Sequence, residues 1–195
     1  MKRACPLSNT RNDAYGGDLA GRMRLPLEVI AAVRAAWPED RPVFVRISAV
    51  DGVDGGWTME DSLAFAQAMK PLGVDVIDCS SGGIGGSATG SKRVPRGFGF
   101  QVPYAAEIRQ ATGLAAMAVG LIIGPHQAEA VLEAGEADLI AIGREAMNNP
   151  NWALMARGIL EPGATEEVFA PWPPQHGWWM EKRAAVLEAL GAPPA

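Results

Sequence analysis

An α/β fold on a parallel sheet is what the sequence predicts, and three observations predict it. Strand-like runs alternate with helical patterns four times along the chain. Each strand-like run is nearly continuously apolar rather than alternating, as expected of parallel strands covered on both faces. The 195 residues make one domain with enough chain to bury a core. Two arrangements meet these conditions: an open doubly wound sheet, and part of a (β/α)8 barrel. The first strand run ends RISAVDGVDGG and does not lead through GxGxxG into a helix, so the dinucleotide-binding fingerprint is absent. A whole barrel takes about 250 residues, so four units correspond to half of one.

The elements follow in order. SNTRNDAYGG is a polar, turn-rich stretch that feeds a helix, an arrangement more usual inside a chain than near its first Met. Leu19 to Trp37 reads as that helix, with Leu25, Val29, Ile30 and Val33 at helical spacing and Pro38 as its stop. PVFVRIS is a buried strand and DGVDGGW a loop. Thr58, with Asp61 three residues on, makes a weak capping box for a helix through Leu63, Phe65, Ala66 and Met69. VDVIDCSSGG is a strand running into a glycine loop. The Gly-rich GIGGSATGSKRVPRGFG separates it from a helix around Tyr104 to Thr112. LAAMAVG, PHQAEAVLEAG, ADLIAIGR and PNWALMARGIL then read as strand, helix, strand, helix. The tail from Glu161 carries APWPPQHGWW and a last helix, MEKRAAVLEAL. The division expected is 1–160 for the sheet-and-helix body and 161–195 for the tail.

In either arrangement function gathers at the carboxyl ends of strands. On PVFVRIS, Phe44, Arg46 and Ser48 share one face. A permanent cation on a buried strand needs an anionic or polar partner. Arg46 therefore either pairs with a carboxylate in a neighbouring loop or meets a ligand, and the ligand is the favoured reading. Gly120 closes the third strand in AVGLI, and Gly143 and Arg144 close the fourth in AIGRE. In the C-terminal half of a barrel these loops would follow strands seven and eight, where phosphate commonly binds. Glycine admits backbone N–H groups, a helix N-terminus is electropositive, and arginine adds a bidentate clamp. The structural alternative is that each glycine only relieves a tight turn.

Other residues say less. Cys79 reads as a small buried thiol. SSGG at 80–83 is a flexible loop. Lys92, Arg93 and Arg96 form a local basic cluster. His126 starts a helix and His176 lies in the aromatic tail, with no metal-ligand spacing and no readable Ser-His-Asp order. The net charge of -5 does not invite nucleic acid. No apolar run reaches the roughly 18 residues of a membrane span, and MKRACPLSN lacks the apolar core of a secretory signal. Two cysteines make no disulfide framework. A cytoplasmic setting is expected.

Taken together, PLSNTRNDAYGG, the helix with Arg22 and Arg24, PVFVRIS, DVIDCSSGG, AVGLI and ADLIAIGREAMNNPNW resemble the old yellow enzyme family of FMN-dependent ene-reductases, in order and spacing over nearly the whole chain. The PPQHGWW tail is similar to the shorter bacterial branch related to xenobiotic and NADPH dehydrogenases. The resemblance implies units five to eight of a (β/α)8 barrel with FMN at its C-terminal mouth. Arg46 would meet the flavin's pyrimidine edge, and Gly120, Gly143 and Arg144 would hold its phosphate. NADPH or NADH would reduce FMN, and hydride would pass to the β-carbon of an activated alkene. In the family, SNxRxDxYGG follows the fourth strand and a segment of the type HxxHGYLxxxFLSP. Only CPLSN stands for that segment here, so the chain is expected to lack the His pair and the proton-donating Tyr, and no catalytic residue is assigned. The role of SNTRNDAYGG here is expected to be structural, its Asn, Asp and Gly shaping the turns into the helix.

A half barrel would have two open strand edges and an uncovered inner face. The expectation is a homo-oligomer, a pairing with a separately encoded missing half, or poor folding. Turnover by the chain alone is expected to be negligible. The alternatives to an enzyme are an FMN- or phosphate-binding fragment and a remnant with neither activity. His176, Trp178 and Trp179 either reach a neighbouring subunit's site or staple the last helix.

Overall fold

The computed structural model describes residues 4–82, 84, 94, 96–161 and 168–191. Lys92 and Arg93 of the basic cluster, and Gly83 of the glycine loop, lie outside them. The chain forms two compact units, 1–123 with 127–142 and 124–126 with 143–195.

The opening loop is built from its own side chains. Asn9 Nδ2 donates to the Tyr15 carbonyl at 2.8 Å, and the Arg11 and Tyr15 N–H groups donate to Asn9 Oδ1 and Asp13 Oδ1 at 3.1 Å. A Cβ on Gly16 would lie 2.1 Å from the Arg11 carbonyl oxygen, so only glycine fits there. Asp18 then caps α1 (Leu19–Ala36) by accepting from the Gly21 N–H at 2.8 Å. Arg22 ties the loop down, donating to the carbonyls of Ala4 and Gly17. Ile30 is buried, but Val29 and Val33 are exposed, so only part of the helical stripe reaches the core.

β1 (Phe44–Ser48) leads to α2 (Met59–Met69), which opens with a complete capping box between Thr58 and Asp61. Trp57 sits edge-on to Phe65, and its indole N–H donates to Ser62 Oγ, which donates on to the Ala49 carbonyl. A 3-10 turn (Lys70–Leu72) ends at Gly73 in the left-handed region and delivers β2 (Val76–Ser80). α3 (Val102–Thr112), β3 (Ala115–Ala118), α4 (Pro125–Glu133) and β4 (Leu139–Ile140) complete the alternation. The strands run parallel in the order β1-β2-β3-β4.

The register sorts the strand residues into two layers. Ile47, Ile77, Cys79, Ala116 and Ala118 share one face and are buried, with α2 and α3 supplying Phe65, Ala66, Met69, Ala105 and Ile108 to the core. Phe44, Arg46, Ser48, Val76, Asp78, Met117 and Leu139 share the other. That face is open at its edges: Phe44 is 47% exposed and Leu139 41%. The expectation that every strand is covered on both faces is thus corrected at β1 and β4. Apolar runs report burial of the strand as a whole, and edge strands in a sheet with helices on one side do not receive it.

The second unit adds α5 (Arg144–Asn148), α6 (Trp152–Leu160) and α7 (Pro174–Leu190). The last helix starts at Pro174, earlier than the tail's composition suggests, because proline is well suited to the first helical position. Gly177 lets it approach: a Cβ there would lie 2.6 Å from the Phe169 carbonyl oxygen. α5 has no counterpart in the sequence reading, where its five residues are too few to show a period.

Candidate functional site

Arg46 lies mid-strand on the open face of the first unit, directly across from Asp78 in the β1–β2 register. Its Nη1 donates to Asp78 Oδ2 at 2.9 Å. The two partners differ in setting: the arginine side chain is 58% exposed and the aspartate 10%. The costly buried charge is therefore the carboxylate, and the premise that Arg46 is itself buried is corrected; the uncovered sheet face gives it water. The ion-pair partner comes from the adjacent strand and not from a loop. Burial pushes the Asp78 carboxyl above its usual range, and Arg46 only partly opposes this. Asp78 Oδ1 is buried and has no hydrogen-bond partner among the described residues.

The carboxyl ends of β1, β2 and β3 are laced together. Ser48 Oγ donates to the Gly82 carbonyl at 3.1 Å, and the Gly82 N–H donates to the Val50 carbonyl at 2.7 Å. Ser81 Oγ donates to Gln101 Oε1 at 2.8 Å, while Gln101 Nε2 donates to the Val119 carbonyl at 3.1 Å. The buried Gln101 amide thus bridges the loops after β2 and β3.

Gly120 follows that bridge. Its φ is +122°, and a Cβ would lie 2.9 Å from Gln101 Nε2 and 3.0 Å from Phe100. Glycine is required here by both backbone and space. Leu121 holds a φ of +53°, costly for a residue with a side chain. Gln127 braces it, donating to the Leu121 carbonyl at 3.1 Å and accepting from the Ile123 N–H at 3.0 Å.

Gly143 and Arg144 belong to the second unit. Gly143 is the N-cap residue of α5 with φ -102°, no side chain caps that end, and a Cβ there would meet open space. Neither strain nor crowding explains this glycine. Arg144 is exposed as the first helical residue.

Several secondary expectations can be placed. Cys79 is fully buried on the helix-packed face, its thiol pushed up to about 12, first by burial and then by Asp78. Arg96 lies over the Phe100 ring at 5.7 Å. His126 and His176 are exposed on α4 and α7, and Trp178 and Trp179 stack edge to face and are exposed. One cleft, of about 420 Å³, is lined by Ser8, Asn9, Thr10, Arg11, Tyr15 and Leu25, and contains none of the four residues singled out for a cofactor.

The sequence reading missed Asp78, Gln101 and Gln127. Asp78 had a signal: an acid in an otherwise apolar strand run, beside a strand carrying one arginine. Gln101 and Gln127 had none, since amides in loops and helices are ordinary.

The open face suits an electron-rich, planar ligand edge. Arg46 keeps guanidinium N–H groups beyond the one given to Asp78, and these are donors only. A flavin's pyrimidine edge is rich in acceptors, so the group implied by the resemblance fits these residues.

The model of the NADH:flavin oxidoreductase / NADH oxidase family matches residues 4–161. The NADPH dehydrogenase of Halalkalibacterium halodurans is 44% identical over 160 residues, covering 82% of this chain and 45% of the relative. That of Geobacillus thermodenitrificans is 43% identical over 173 residues, covering 89% and 48%. The chain spans about half the length of the curated relatives it matches. Among solved structures, morphinone reductase superposes with a TM-score of 0.59 at 24% identity, over 80% of this chain and 40% of its own. A 2-naphthoyl-CoA reductase complex superposes with a TM-score of 0.70 at 20% identity, over 86% and 25%. These likenesses show the α/β fold with its parallel sheet.

Proposed function

From the premise that this chain belongs to the NADH:flavin oxidoreductase / NADH oxidase family, we propose that it is the FMN-holding half of an NAD(P)H-dependent oxidoreductase acting on small molecules with activated C=C bonds. The observation that carries this reading is the open sheet face, where Arg46 stands in solvent against the buried carboxylate of Asp78. Bound FMN would supply hydride transfer, accepting hydride from NADPH or NADH and donating it to the alkene. Arg46 would donate hydrogen bonds to the pyrimidine edge and stabilise negative charge there. Gly120, set by the Gln101 and Gln127 braces, would offer backbone N–H groups to a phosphate. In the other unit, Gly143 and Arg144 would each be a phosphate-holding residue in their own right, through a backbone N–H and a guanidinium.

The sheet supports the finer architectural reading. Among the described residues, four parallel strands in sequential order, with helices on one face and both edges unpaired, match one half of a (β/α)8 barrel. Residues 1–160 would form that half and 161–195 its tail. Edges β1 and β4 would be covered by the complementary half or by a second copy of the chain, in the cytoplasm, where the two free cysteines stay reduced. Light scattering should give a species larger than one chain; a stable, well-folded monomer contradicts this part.

A second reading, binding without turnover, is favoured by one observation. The strand residues of the open face include only Arg46 and Asp78 as ionisable groups. Neither an exposed guanidinium nor a carboxylate committed to it is a suitable proton donor to a substrate. The pure chain should therefore reduce enones negligibly. The binding reading is tested by titrating FMN and riboflavin in parallel. FMN should bind more tightly, and Arg144→Ala should narrow the gap; equal affinity for both flavins contradicts a phosphate grip.

A further inference from the structure

Asp78 is an expensive residue to keep. Its carboxylate is 10% exposed, one oxygen is spent on Arg46, and the other, Oδ1, is buried without a partner among the described residues. A half-satisfied buried carboxylate costs folding free energy. The ion pair does not repay that cost, because Arg46 is 58% exposed and an exposed guanidinium solvates well alone. Burial also raises the Asp78 carboxyl despite the adjacent cation, a sign that desolvation outweighs the attraction.

What it does geometrically is fix Arg46. The two residues face each other in the register, and the 2.9 Å bond runs from Nη1 to Oδ2 along the open face. An arginine with a free, flexible stem would sample many rotamers, and a donor fork that must meet a planar acceptor edge loses affinity for each rotamer frozen on binding. A bond from the neighbouring strand removes that search and leaves the remaining N–H groups of the half-exposed guanidinium unspent on Asp78.

We propose that Asp78 is a positioning residue for the cofactor site: it pre-orients the Arg46 guanidinium toward the acceptor edge of the flavin. This rests on the reading of the open face as an FMN surface. The prediction has an unusual sign, since removing Asp78 should improve folding and impair binding together.

The test is a double-mutant cycle on the purified full chain with FMN as the probe, read by flavin fluorescence, with thermal melts of each apo variant alongside. Asp78→Asn is nearly isosteric and Asp78→Ala removes the contact; agreement between them guards against a local packing artefact. Arg46→Ala should weaken FMN about tenfold. Asp78→Ala should weaken it several-fold, Asp78→Asn by less, and Asp78→Ala should add nothing in the Arg46→Ala background. The melts of both Asp78 variants should stay level or rise. Nuclear magnetic resonance of the Arg46 guanidinium gives a readout that needs no flavin: restricted rotation in the parent chain, free rotation in Asp78→Ala. FMN affinity unchanged in Asp78→Ala, an equal loss with and without Arg46, or a fall in melting temperature that accounts for the binding loss would each overturn the proposal. Absence of FMN binding by the parent chain with Arg46 still restricted defeats the functional reading, and the positioning role falls with it. An Arg46 that rotates freely in a parent chain that binds FMN defeats the positioning role alone.

Discussion

The two faces of the sheet are made by the same strands and obey different rules. On one, Ile47, Ile77, Cys79, Ala116 and Ala118 are buried under α2 and α3. On the other, one residue away along each strand, Phe44 and Leu139 are exposed and a buried carboxylate keeps an unpartnered oxygen. The first face is optimised for packing. The second violates packing rules where a ligand or a partner would be met, which is where departures from local consistency are expected.

Substitutions sharpen the contrast. Phe65→Ala, beneath the packed face, should cost about 3–5 kcal/mol, whereas Phe44→Ala on the open face should cost under about 1 kcal/mol. Urea midpoints of the two variants measure the difference. Similar losses would mean the open face is packed in solution, as it would be inside an assembled barrel, so the comparison belongs at low concentration.

The two glycines divide the same way. Gly120→Ala meets both a positive φ and the Gln101 amide, so a loss of about 1–3 kcal/mol is expected. Gly143→Ala meets open space and should leave the melting temperature nearly unchanged while weakening FMN. A smaller effect belongs to the covering layer: Thr58→Ala removes the α2 capping box and should cost about 1 kcal/mol.

The smallest expected effects are pH-dependent and opposite in sign. Asp138 accepts from Arg109 and from the Ala116 N–H, and these, Arg109 first, hold its carboxyl below the usual range. Its contribution is present above the unfolded-state pKa and is lost as pH falls through the folded one. Asp78 lies above the usual range because of burial. Its contribution is present at low pH and is lost as pH rises through the folded value. Denaturation midpoints across the acid range should therefore fall in Asp138→Asn above that window, and rise in Asp78→Asn. A shared sign would contradict the burial argument for Asp78.

Much of the fold was legible because period and capping are local. The alternation of units, the Thr58 cap and the Gly120 turn are written in short windows. The length of β4 was not legible: ADLIAIGR reads as a long strand, yet its pairing with β3 is confined to Leu139 and Ile140 and the flanking Asp138 and Ala141 N–H groups, which donate to the Ala116 and Ala118 carbonyls. The site was half legible. Arg46 stands out as a charge in an apolar run, but its relation to Asp78 is a property of register, and no window of sequence contains both strands. Gln101 bridges two loops for the same reason and leaves no local trace.

The measurement that tests the central claim most directly is a flavin fluorescence titration of the purified chain and its Arg46→Ala variant, both verified as folded by circular dichroism. The open face as an FMN surface predicts saturable quenching in the parent chain and about tenfold weaker binding in the variant. A folded parent chain with no FMN response, or a variant that binds as well as its parent, would contradict it.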